Sequence, residues 1–110
     1  MSNKYGAKRT WSELCQREFA SMKECRRAEE LTLLEKAGEI QQLEFQSPFT
    51  LCLKPRIKIT IDFKYVERHK TNDCWNGIPT YEDSKGMLTR DTRTKLAWLK
   101  EKHGIEVLLS

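Results

Sequence analysis

Asp62 ends an alternating run, Ile57-Lys-Ile-Thr-Ile-Asp62, and further along stands Glu82-Asp83-Ser84-Lys85-Gly86. Residues two apart in a strand point to one face. Asp83 and Lys85 therefore share a face, and a neighbouring strand could set Asp62 beside them. Two carboxylates and a lysine meeting at one point suit a divalent ion and an attacking water. Phosphodiester cleavage needs an in-line nucleophile and relief of charge at phosphorus, and carboxylate-held metals supply both. Mg²⁺ prefers oxygen ligands and keeps several waters, so few carboxylates suffice, with Mn²⁺ as the alternative ion. Asp62 and Asp83 are the expected metal ligands. Glu24 is a third, directly or through water, and the backbone carbonyl of Ser84 is a further donor. Lys85 would orient the water, help deprotonate it or stabilise the phosphorane. Gln46 would hydrogen-bond near the metal.

Taken singly, these residues have plainer readings. Asp62 on a polar strand face is more often solvated, Glu24 is a helix-capping residue, and Lys85 is a surface lysine. Their joint order is more specific: a helical glutamate, an aspartate on a strand, Asp-x-Lys on the next strand, then a basic helix. Glu82 faces away from Asp83, unless the register slips by one residue.

Several elements must position these groups. Ser21-Met-Lys-Glu24 reads as a capping box opening a helix that Gly38 stops. Ala28, Leu31 and Leu34 share one face of it, and Glu24 lies almost in line with them. Residues 11–19 fit either a helix or a short strand. Ile40 to Gln46 is partly extended, and Ser47-Pro48 interrupts it. Phe49 to Leu53 is a short apolar strand, and Lys54-Pro55 marks a turn. Ile57, Ile59, Ile61, Phe63 and Tyr65 alternate with polar residues and make the clearest strand. A polar loop covers residues 69–77, and a strand runs from Ile78 to Lys85. A helix follows from about Asp91 to His103, with Arg90, Arg93, Lys95 and Lys100 as its basic residues. Ile105 to Leu109 is the last strand. The order is α/β, written αβββαβ, with a mixed sheet flanked by helices.

The chain has 110 residues, room for one domain over residues 11–110 after a flexible basic arm at 1–10. Lys and Arg total 20 against 16 Asp and Glu, with pI ≈ 8.9. This balance permits a phosphate-bearing partner without requiring one. Lys4, Lys8 and Arg9 in the arm, with the basic residues of the last helix, are the expected DNA contacts. No apolar run is long enough to span a membrane and no signal-peptide core opens the chain, so a cytoplasmic location is expected. Cys15, Cys25, Cys52 and Cys74 are then reduced, and none falls in a Cys-x-x-Cys pair.

The segments Asn3-Lys-Tyr-Gly6, Ser21-Met-Lys-Glu24, Leu33 to Ile40, Leu43-Glu-Phe-Gln46, Ile61-Asp-Phe-Lys-Tyr65 and Glu82-Asp-Ser-Lys-Gly86 resemble a family of small phage-encoded PD-(D/E)xK nucleases. That family is grouped with Holliday junction resolvases and phage endonuclease I. The resemblance implies a restriction-endonuclease-like core and Mg²⁺-dependent DNA cleavage. It matches Glu24 to the helical glutamate, Asp62 to the aspartate of the PD position, Asp83 and Lys85 to the D-x-K pair, and Gln46 to the polar residue of the first strand. Ile61 replaces the motif's proline. Gln16-Arg-Glu-Phe19 departs from the glycine-containing turn expected before the first helix, and the 69–77 loop is longer than usual. Resolvases of this fold cut as homodimers, so a dimer is implied. Trp98 fits either a dimer interface or a second packed side of its helix.

The first expectation is a structure-selective endonuclease acting on branched DNA, in the bacterial host cytoplasm if phage-encoded. The alternatives are a general phage DNA nuclease and an inactive nuclease-like module that binds DNA or protein.

Overall fold

The computed structural model describes residues 9–69, 74–84 and 88–110. Eight elements run in the order β1 (Thr10–Ser12), β2 (Arg17–Phe19), α1 (Met22–Lys36), β3 (Ile40–Leu53), β4 (Arg56–Glu67), β5 (Thr80–Asp83), α2 (Arg90–His103) and β6 (Val107–Leu109). β1 and β2 form a separate antiparallel hairpin, so residues 11–19 are two short strands joined by a turn at 13–16 rather than a helix, and Thr10 leaves the arm. From α1 onward the order is αβββαβ, as expected. The four-stranded sheet runs β3-β4-β5-β6. The first three strands are antiparallel neighbours, and β5 and β6 are parallel, so the sheet is mixed. A parallel pair needs a crossover, which α2 supplies.

β4 forms the spine because its alternating apolar residues Ile59, Ile61, Phe63 and Tyr65 are buried. Phe63 and Tyr65 join Phe19, Cys25, Ala28, Leu31 and Ile40 in a cluster under α1. Ile59 and Ile61 join Leu51 and Leu99 in a second cluster under α2. Trp98 packs against this second cluster, which favours the packed-side reading over a dimer interface. The His103 ring lies tilted against Phe49 at the same end, with ring centres 5.8 Å apart. The four cysteines are free thiols. Among the described residues no helix is long and apolar enough to cross a membrane.

Two expectations about β3 and α1 are corrected. β3 continues through Ser47-Pro48, with Pro48 opposite Thr60. It is an edge strand, where a missing N–H on the open side breaks no ladder bond. Leu34, expected on the buried stripe of α1, is 37% exposed. Ser21 caps α1 as anticipated, accepting from the Glu24 backbone N–H at 3.1 Å.

An ion pair locks α1 to β5. Arg27 donates from Nε and Nη2 to the two oxygens of Glu82 at 2.6 and 2.9 Å, and the Tyr65 hydroxyl donates to the same carboxylate at 2.8 Å. Glu82 is buried. Burial pushes its carboxyl up, but the bonds from Arg27 and Tyr65 outweigh this and hold it below the ordinary range. The bond to Glu82 likewise raises the Arg27 guanidinium.

A depressed carboxyl stabilises the fold above its unfolded pKa, and that stability is lost as pH falls through the folded value. Glu82→Gln is therefore expected to cost about 2–4 kcal/mol at neutral pH, because a buried pair loses one partner. The gap to wild type should hold above about pH 5 and narrow below about pH 4. Urea unfolding at a series of pH values checks this, and a gap that widens in acid contradicts it.

Candidate functional site

The register around β4 builds the site. Phe63 pairs with Glu82, so one step on Asp62 faces Asp83 across β4 and β5. On the other side, Phe45 pairs with Phe63 and Ser47 with Ile61, so Gln46 stands across from Asp62. Three adjacent strands thus carry Gln46, Asp62 and Asp83 in a row. The first turn of α1 adds Glu24.

Hydrogen bonds tie these groups together. The Gln46 amide donates from Nε2 to Glu24 Oε2 at 3.0 Å and to Asp62 Oδ1 at 3.3 Å. Ser84 donates its backbone N–H to Asp62 Oδ2 at 3.0 Å. The Asp62 backbone N–H donates to Asp83 Oδ1 at 3.2 Å. Glu24, Asp62 and Asp83 are 6%, 7% and 0% exposed, so the solvated-surface reading of Asp62 does not hold. The hydroxyl of Ser84 is buried and makes no hydrogen bond among the described residues.

Glu24, Asp62, Asp83, Gln46 and Ser84, all expected at the site, are therefore gathered. Lys85, Lys4 and Lys8 lie outside the described residues. Arg9 pairs with Glu18 on the β1–β2 hairpin. Arg90 and Arg93 are exposed on α2. Lys95 pairs with Asp91 at 3.4 Å and Lys100 with Glu106 at 2.7 Å. Glu82 turns to Arg27 and Tyr65 instead of joining the acids. Arg27 gave no signal in sequence, since its partner lies on a strand remote in the chain.

The donor set is all oxygen, the chemistry that Mg²⁺ or Mn²⁺ favours. Among the described residues, no three His, Cys, Asp or Glu side chains stand close enough to hold an ion together. The Gln46 amide nitrogen stands between Glu24 and Asp62, a place where two carboxylates would also attract a cation. Residue types and burial fit a hard cation, and binding one between those two acids requires the amide to give way.

Gln46 holds this position at a cost. Its φ is 58°, a left-handed backbone inside a strand, worth about 1–2 kcal/mol for a non-glycine residue. Strain of this kind gathers at functional sites. Both Gln46→Ala and Gln46→Gly remove the amide, at about 1–2 kcal/mol, but only glycine relieves the backbone. Chemical denaturation is expected to find Gln46→Gly more stable than Gln46→Ala by about 1 kcal/mol, and the reverse order would contradict a left-handed residue 46.

Comparison with curated proteins and with solved structures gives no match. Residues 2–107 match the family described as Protein of unknown function (DUF1064), and the chain belongs to that family.

Proposed function

We propose that this protein is a metal-dependent DNA endonuclease with a restriction-endonuclease-like core. One observation carries the reading. Asp62 is bonded through both carboxylate oxygens and its own N–H to residues of the neighbouring strands, and through Gln46 to Glu24. Acids from a helix and two strands are thereby linked, and Asp83, the last residue of β5, opens an Asp-x-Lys run in the sequence.

A bound Mg²⁺ would relieve charge on the phosphate and acidify an attacking water. Asp62 and Asp83 would hold it, with Glu24 joining directly or through water. Gln46 and the Ser84 N–H fix the orientation of Asp62, and the Gln46 amide would swing aside as the cation enters. Lys85 follows Asp83 by two residues in the sequence and is assigned to orient the water, help deprotonate it or stabilise the phosphorane. Burial of the acids keeps bulk water from competing for them. Branched DNA is the proposed substrate, cut by a homodimer in the cytoplasm, because a four-way junction needs two symmetric incisions. An inactive binding module is the weaker reading, since buried acids repel phosphate and do nothing for a pure binder.

Labelled four-way junctions, duplex and single strands incubated with Mg²⁺ test this. Paired nicks at the junction are expected. Asp62→Asn, Asp83→Asn and Lys85→Ala should each lower cutting about a hundredfold or more while keeping the wild-type circular dichroism spectrum. Equal cutting of all three substrates would make the protein a general nuclease. No cutting of any would overturn the proposal.

A further inference from the structure

A groove borders the acid cluster at the start of α1. Met22, Lys23, Arg26, Arg27 and Glu30 line it from the helix, and Ser84 and Ser110 complete it around about 410 Å³. It adjoins the site at two points. Ser84 donates its N–H to Asp62, and Lys23 immediately precedes Glu24.

The cations of this groove divide into two kinds. Arg27 is committed to Glu82 and to Glu30, the latter at 2.9 Å. Lys23 and Arg26 are exposed and make no ion pair or hydrogen bond among the described residues. They stand three positions apart on a helix and so share one face. Ser84 lines the opposite side of the groove. Two uncommitted, exposed cations are groups that phosphate oxygens accept from. A polyanion approaching Asp62 and Asp83 is repelled by their charge, and cations beside Glu24 in the first turn of α1 offset that repulsion.

We infer that this groove seats the backbone of a DNA strand beside the phosphate that is cut, with Lys23 and Arg26 as its phosphate contacts. The inference rests on the nuclease reading and adds to it the path of the strand. Neither residue stood out in the sequence, because exposed cations on a helix read as a solvated face.

The test is binding of fluorescently labelled duplex in a metal-free salt series. Wild type is compared with Lys23→Ala/Arg26→Ala and with a charge-matched control, Lys36→Ala/Lys54→Ala, at exposed sites away from the groove. The groove variant should flatten the slope of log affinity against log salt by about 1.8, at about 0.9 per phosphate contact. The control should keep the wild-type slope, and all three proteins should melt alike. An unchanged slope in the groove variant, or equal flattening in both variants, overturns the inference. A groove variant that shows the flatter slope, beside a wild type that never cuts in Mg²⁺, sinks the nuclease reading and supports the groove. Wild type that cuts while the groove variant keeps its slope sinks the groove alone. Poly-glutamate displacing the duplex as well as unlabelled DNA does would also overturn it.

Discussion

Asp62 stands across from Gln46 on one neighbouring strand and from Asp83 on the other, and the hydrogen bonds of the acid cluster converge on it. This placement depends on the pairing register of β4. Side chains alternate faces along a strand, so a slip of one residue would exchange Asp62 for Ile61 or Phe63 at the cluster. The apolar residues on the alternate positions of β4 set that register by burial: Ile59, Ile61, Phe63 and Tyr65 are all buried. Core and site are thus two consequences of one alternation.

The same alternation divides two adjacent acids of β5. Asp83 joins Asp62, while Glu82 turns to Arg27 and Tyr65. A buried carboxylate with a guanidinium and a phenol is a structural device, and it anchors the helix whose first turn delivers Glu24. Arg27 and Glu24 are three residues apart on α1, so clamping one restrains the other within a single turn. The position of Glu24 against Gln46 therefore rests on an ion pair made by a neighbouring residue.

Much of this was legible in the sequence where a local rule and the tertiary fold agree. The alternation of Ile57 to Tyr65 marked β4, the Ser21 capping box opened α1, and the spacing of Asp62, Asp83 and Glu24 picked out residues that the fold gathers. The rest depended on contacts distant in sequence. Pro48 read as an interruption because nothing local reveals that β3 is an edge. The β1–β2 hairpin was ambiguous because three-residue strands carry too few alternations to separate from helical spacing. The left-handed backbone of Gln46 had no signal, since that conformation usually belongs to glycine. Arg27 and Glu82 could not be paired from a single chain read in order.

The central claim is that Asp62 and Asp83, with Glu24 across the Gln46 amide, bind a divalent cation once that amide gives way. Calorimetric titration of Mg²⁺ or Mn²⁺ into the protein without DNA tests it most directly, beside Asp62→Asn. The account predicts saturable heat with wild type that disappears in the variant. A wild type with no saturable binding, or a variant that binds the ion equally well, would contradict it.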